Sequence, residues 1–290
     1  MQSLSHNLVF LSLIFIFGLI IGSFLNVCIY RLPKIIKNQW LQDCNDLLKN
    51  KTKKLAKFNL AYPPSTCPAC HKKLSIWQNI PIIGFLWQQG KCHYCQKPIS
   101  YIYPAIELLT ASLFVVVFLK FNNLPPIELL FIFALVSFLI VISAIDFKTQ
   151  YIFDILSLSM LWVGLLYNTI FTGFATPTDA IIGAVAGYLS LYIVYWLFKI
   201  IRNKEGLGYG DFKLFAACGA WLGYQHLPSI LLIASISGII MAILILMIKK
   251  ITKVKKSTEN KENKERLQDS KIPFAPYLSF ATLIILFWLF

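Results

Sequence analysis

The sequence predicts an all-α polytopic membrane protein of about eight transmembrane helices, with a cytoplasmic zinc-ribbon-like loop domain between helices 1 and 2. Three observations carry this. Of 290 residues 57% are hydrophobic and 14% charged, against roughly 25% charged in soluble domains. Apolar runs that meet or approach the roughly 20 residues a bilayer core requires of a helix recur eight times. Four cysteines stand in two C-x-x-C pairs inside the one long polar stretch.

The eight runs lie at about 8–30, 102–119, 127–145, 152–172, 178–201, 212–224, 227–248 and 273–290. The first exceeds the roughly 7 to 15 residues of a signal-peptide core, and Met1 to Asn7 carries no Lys or Arg, so it reads as a retained helix. The sixth is short and interrupted by Gly219 and Gly223, which leaves a re-entrant or tightly packed segment as the alternative to a full span. No internal repeat supports an inverted-repeat transporter.

The formal charge of +14 is concentrated: 12 of the 27 Lys and Arg lie between Arg31 and Lys97, and 9 between Lys249 and Lys271. Beside membrane spans, such blocks mark cytoplasmic orientation and attraction to anionic lipid headgroups. Nucleic acid is not expected, since only Trp77, Trp87 and Tyr94 offer stacking aromatics in the basic loop. The intervening loops alternate in charge: 121–126 and 173–177 hold no Lys or Arg, whereas Lys148 marks one turn and Arg202 and Lys204 another. With 31–101 inside, both termini face outside. The resulting division is a first helix at 1–30, a basic zinc-binding domain at 31–101, helices 2–7 at 102–248, a flexible basic cytoplasmic loop at 249–272, and a last helix at 273–290.

Cys67-Pro-Ala-Cys70 and Cys92-His-Tyr-Cys95 are separated by 21 residues, a spacing that suits tetrahedral zinc held by two tight turns. In a reducing cytoplasm such pairs favour metal over disulfide. His71 and His93 read as bystanders, and Cys28, Cys44 and Cys218 have no pairing pattern. Four protein ligands leave no open position, so the metal shapes a surface and does not catalyse.

Acidic residues number 13, and Asp146, Asp154 and Asp211 all fall at the predicted cytoplasmic boundary. Acids at such depth are functional candidates. Two adjacent carboxyls share a proton, one acting as base towards water and the other polarising a carbonyl. Gly208 and Gly210, before Asp211, would let a substrate backbone approach. Plainer roles exist: Asp154 and Asp179 read as helix caps, Asp146 and Asp211 could pair with Lys148 and Lys213, and Glu107 suits a structural ion pair or a snorkelling position.

Longer motifs sharpen the reading. Gly22-Ser23-Phe24-Leu25-Asn26-Val27 leads to Arg31-Leu32-Pro33; Trp77-Gln78-Asn79-Ile80-Pro81 separates the cysteine pairs; Gly90-Lys91-Cys92 opens the second pair; Tyr103-Pro104 precedes Glu107-Leu108-Leu109-Thr110-Ala111. Ile145-Asp146 is followed by Asp154 and by Gly206-Leu207-Gly208-Tyr209-Gly210-Asp211-Phe212-Lys213-Leu214. Over nearly its whole length the chain resembles the type IV prepilin peptidases, membrane aspartic proteases with a Gly-x-Gly-Asp motif. The resemblance implies that Asp146 and Asp211 are the catalytic pair, supported by Gly208, Gly210 and Lys213, and it is what favours Asp146 over Asp154. It implies a bacterial inner-membrane enzyme that cleaves the basic leader of a prepilin or pseudopilin at the cytoplasmic face. It also implies S-adenosylmethionine as donor for N-methylation of the new terminus, in a region that includes Gly90. One departure is Phe153, where the family usually has proline before the second acid. On residues alone, a transporter using Asp146 and Asp211 as ion sites, or a non-catalytic membrane-tethered zinc ribbon, stays open.

Overall fold

The computed structural model describes residues 2–48, 58–171, 173–203, 208–255 and 273–289. Part of the basic domain (49–57), Lys204, Gly206 and Leu207, and the 256–272 part of the basic loop lie outside the described residues. Among those described, the chain is helical: α1 (Gln2–Leu47), α2 (Ile83–Trp87), α3 (Ile102–Lys120), α4 (Pro126–Thr149), α5 (Asp154–Ile170), α6 (Pro177–Arg202), α7 (Tyr209–Leu222), α8 (Leu227–Lys255) and α9 (Ala275–Leu289). Isolated bridges at Thr66–Lys73 and Lys91–Pro98 are the β-type pairing seen.

Helices within α1, α3, α4, α6 and the stretch Tyr224–Met247 are long and apolar enough to cross a membrane, and α5 and α9 are shorter apolar helices of 17 and 15 residues. With α7, they occupy the eight predicted positions. Two helices outrun their apolar sequence. α1 continues through Arg31 and Pro33 to Leu47, and α8 runs through the lysines to Lys255, so 249–255 is helical where a loop is expected. Charged residues end a hydropathy run without ending a helix, because Lys and Gln are good helix formers.

The chain divides into two compact units, Met1–Val141 and Ile142–Phe290. In the first, α1 lies along α3. A Cβ on Gly18 would come within 2.6 Å of Ala111 Cα and one on Gly22 within 2.7 Å of Glu107 Cα, so glycine is what allows the approach. Phe17, Phe114 and Phe133 form a ring cluster, the last two stacked at 4.2 Å.

The second unit is built around α7. At 1.5 Å per residue, 14 residues reach about 21 Å, short of a hydrocarbon core of about 30 Å. From Asp211 to Leu222 it is buried at every position except Lys213, so protein surrounds it. The tightly packed alternative is therefore the one observed. Asn168 of α5 completes the end of this helix: its Nδ2 donates to the carbonyls of Ala220 and Trp221 at 2.8 Å each, while its Oδ1 accepts from Phe174 and Ala175. These are carbonyls that a helix end leaves without partners. Gly183 of α6 meets Gly219 of α7 backbone to backbone, and a methyl at either would overlap the carbonyl of the other. Gly219→Ala should cost about 1–3 kcal/mol through forced separation of the helices, read as a lowered thermal midpoint in detergent; an unchanged midpoint would refute the packing.

Candidate active site and metal centre

Asp146 sits in the last turns of α4 and is 4% exposed; Asp211 opens α7 and is 8% exposed. The two carboxyls are close enough for their charges to repel. Each is held at a helix N-terminus, where unpaired amides and the helix dipole favour an anion. Asp146 Oδ2 accepts the backbone N–H of Ala275, first residue of α9, at 3.0 Å. Asp211 Oδ2 reaches back to the N–H of Gly208, the N-cap of its own helix, at 3.1 Å. Among the described residues the Oδ1 atoms of both carboxyls have no such bond.

Asp154 is elsewhere. It is the first residue of α5 and no cap: Phe153 occupies the N-cap, without a side-chain bond. Its carboxylate instead forms the ion pair with Lys213 Nζ, at 2.6 Å, so Lys213 is not the partner of Asp211. Phe153 has φ −82° and ψ 134°, close to the φ of about −65 ± 15° that proline imposes, so the turn keeps its shape without the ring. Asp179 is likewise not the cap of α6; Thr176 is, its Oγ1 accepting the Asp179 N–H at 3.1 Å.

The glycines before Asp211 serve internal packing. A Cβ on Gly210 would come within 2.6 Å of Ile152 Cβ, and one on Gly208 within 3.3 Å of Asp211 Oδ2. They let the 150–153 segment and the carboxyl itself approach the start of α7.

In the first unit the sulfurs of Cys67, Cys70, Cys92 and Cys95 lie within 4.8 Å of one another. The 3.9 Å between Cys67 and Cys95 compares with about 3.8 Å for the edge of a tetrahedron with metal–sulfur bonds of about 2.3 Å. The two turns repeat one pattern. Cys67 N–H donates to the Lys72 carbonyl and His71 N–H to that of Cys67; Cys92 N–H donates to Lys97 and Gln96 N–H to Cys92. His71 and Gln96 share a left-handed φ, 57° and 56°. His71 is thus placed by the turn, and neither it nor His93 joins the thiol cluster. The Cys70 amide, bonded to Cys67, pulls that thiol down to about 6, which favours the ligating thiolate. The residues present therefore fit a closed four-thiolate metal site.

A cavity of about 290 Å³ adjoins this cluster, bounded by α1, α3 and the cysteine segments. Arg31, 8% exposed, donates to the carbonyls of Asn59, Leu60 and Pro63 at 3.0, 3.1 and 2.6 Å, fastening the segment to α1. Glu107, 7% exposed, forms no ion pair among the described residues; its Oε2 accepts the Ile82 N–H at 2.8 Å, where Ile82 has φ 58°. Gly90 is not in the cavity wall. It turns the chain at φ 69° after α2, and a Cβ there would come within 3.1 Å of the ring of Phe85, which does line the cavity. The spacing of the motifs carries no signal for Ala275, 129 residues from Asp146, or for the cavity, whose walls come from separate segments.

A multi-pass helical membrane protein with a carboxyl pair at two helix mouths and a four-cysteine module is the class that fold and sites define. Residues 16–121 match the bacterial peptidase A24 N-terminal domain, and residues 133–243 match the type IV leader peptidase family. The chain is similar to curated proteins named prepilin leader peptidase/N-methyltransferase. It is 45% identical to that of Pectobacterium carotovorum subsp. carotovorum over 78% of this chain and 80% of the relative. It is 40% identical to that of Aeromonas hydrophila (98% and 93%) and 40% identical to that of Pseudomonas aeruginosa (98% and 92%). The chain belongs to the type IV leader peptidase family. No solved structure matches it.

Proposed function

We propose that this chain cleaves the basic leader from type IV prepilins or pseudopilins and N-methylates the exposed terminus. The observation that carries the peptidase reading is the pairing of Asp146 with Asp211, each anchored through Oδ2 to a helix-terminal amide. That anchoring leaves Oδ1 of each carboxyl for water and substrate. Two neighbouring carboxyls do not both ionise readily, so the pair holds one proton. The ionised member takes a proton from water as the water oxygen bonds to the scissile carbonyl carbon, and the protonated member donates to the carbonyl oxygen. Collapse of the tetrahedral intermediate breaks the C–N bond: the carboxyl that took the water proton gives it to the leaving amine, and the other carboxylate takes a proton back from the gem-diol hydroxyl, which restores the pair.

The basic segments orient the active site and the cysteine module towards the cytoplasm of a bacterial inner membrane, with Lys and Arg against anionic headgroups. The metal is zinc, in a structural role, because four thiolates leave no position for water. Cys67, Cys70, Cys92 and Cys95 would hold it. S-adenosylmethionine supplies an electrophilic methyl group to the new amine. Gly90 supports that activity indirectly, since only a residue at ease with positive φ keeps Phe85 in place.

The test is incubation of the purified protein with a prepilin, with and without S-adenosylmethionine. The expected products are the leaderless pilin without the donor and the same species one methyl heavier with it. An intact prepilin in both would overturn the peptidase reading, and an unmethylated product in both the methyl-transfer reading.

A further inference from the structure

The cysteine module turns a row of large apolar side chains away from the protein. In α2, Ile82, Phe85 and Gln88 line the cavity, so Ile83, Leu86 and Trp87, spaced i, i+3 and i+4, share the opposite side of the helix. The preceding turn is packed against α2: a Cβ on Gly84 would come within 2.5 Å of the Gln78 carbonyl oxygen, and Gln88 Nε2 donates to that carbonyl at 3.3 Å. Ile76, Trp77, Ile83, Leu86 and Trp87 are between 55% and 84% exposed, and surfaces that face only water seldom gather apolar side chains so densely. The anchoring of α2 fixes their depth. The Ile82 N–H donates to Glu107 Oε2 at 2.8 Å, and Glu107 also bonds the Ser23 side chain of α1. Phe85 meets the Tyr101 ring edge-on at 5.5 Å. The membrane-crossing helix α3 starts at Ile102, and Glu107 lies about 7.5 Å further along it. α2 is therefore held where that span begins, at the level of the headgroups, which add about 5–8 Å to each face of the hydrocarbon core. The charge of the segment is one-sided: from Phe58 to Ser100 it has Lys72, Lys73, Lys91 and Lys97, all exposed, and no Asp or Glu.

We infer that this face of the cysteine module docks on an anionic bilayer surface, with Trp77, Leu86 and Trp87 in the headgroup layer and the four lysines against acidic headgroups. Indole rings favour that depth because an apolar body and a polar N–H there meet one apolar and one wet phase. Each lysine near anionic lipid adds to the attraction, and apolar area and charge together set the strength of interfacial binding. Tyr101, exposed at the N-cap of α3, continues the aromatic belt. A prepilin leader is basic, so the lysines would repel it, and a second copy of the chain would bring the same four lysines against them. Anionic lipid satisfies the charge and the apolar side chains at once. The inference rests on the inner-membrane reading above, and gives the module its place against that membrane.

Fluorescence quenching by brominated acyl chains, on the full-length protein in nanodiscs, tests it. Subtracting the emission of Trp77→Phe/Trp87→Phe, a double change at exposed positions, isolates the two indoles, with metal content and melting as checks on folding. In discs containing phosphatidylglycerol, brominated lipid should quench that emission by about half or more, and about twofold more than in discs of phosphatidylcholine alone. An unquenched pair would overturn the inference, and equal quenching in the two lipids would overturn its anionic part. A pair shielded from acrylamide but not quenched by lipid would mean that protein covers the face, and quenching that changes only on adding a prepilin would make it a substrate surface; either result sinks the proposal. If the double variant fails to fold, hydroxyl-radical oxidation of Trp77 and Trp87 in the wild-type protein decides: about threefold slower reaction in the anionic discs sustains docking, and equal rates overturn it. Trypsin added to intact spheroplasts tests the orientation separately, since cleavage within 58–100 would overturn the cytoplasmic placement and leave the docking measured in discs as it stands.

Discussion

Asp146→Asn and Asp211→Asn should each lower prepilin cleavage by about 10³-fold in kcat/KM, or about 4 kcal/mol of transition-state stabilisation. The substitution isolates proton transfer from structure. An asparagine carbonyl can still accept the Ala275 or Gly208 N–H that the carboxylate accepts now, so α9 and α7 keep their N-terminal partners. What is lost is an oxygen that can take a proton from water or give one to the scissile carbonyl. Asp154→Asn is the contrast. Asp154 pairs with Lys213 in an ion pair whose side chains are 60% and 27% exposed, a kind worth at most about 1 kcal/mol; cleavage should fall by no more than a few-fold. The measurement is initial rate of leader release by mass spectrometry, with thermal melting as the control for folding. If Asp154→Asn abolished cleavage while either of the other two retained a tenth of it, the assignment of the pair would be wrong.

The apolar runs were legible because a bilayer span must satisfy its backbone within one segment, so hydropathy alone marks it. The sixth run shows where that logic stops. α7 is surrounded by protein, and its short length is tolerated because Asn168, 52 residues upstream of Ala220, satisfies its last carbonyls. Nothing local to the run announces a partner that distant. Asp146, Asp154 and Asp211 are alike in placement, and periodicity cannot say which two meet; the longer motifs around them favour one pair, and the packing brings that pair together. Gly208 and Gly210 were visible as glycines, but their use was not, because the Ile152 segment and the Asp211 carboxyl arrive through tertiary structure. The cysteine spacing was more informative still, since one metal requires four sulfurs to converge and two short turns suffice to do it. Glu107 is the opposite case. Its sequence position suits an ion pair, whereas it accepts a backbone amide from a turn 25 residues earlier.

Removing the metal should have the second largest effect, confined to the first unit. The cysteine module has little core of its own: Ile76, Trp77, Leu86 and Trp87 are 84%, 69%, 66% and 75% exposed. Burial of apolar surface therefore contributes little, and the turns at Cys67 and Cys92 depend on the sulfurs being drawn together. Structural zinc sites in small peptides contribute about 10–16 kcal/mol of apparent binding energy, comparable to the whole stability of a typical domain. Cys67→Ser, or a strong chelator, should thus release the metal and render residues 58–100 sensitive to trypsin. It should also leave the cleaved product unmethylated, since the proposed methyl transfer is assigned to the region of Gly90, between the two cysteine pairs. Cleavage should persist, since Asp146, Asp211 and the amides of Ala275 and Gly208 all belong to the second unit. Metal analysis, limited proteolysis and the mass of the pilin product read the three effects separately. A metal-free protein whose module stays resistant to trypsin would show that the thiol cluster does not hold the module together.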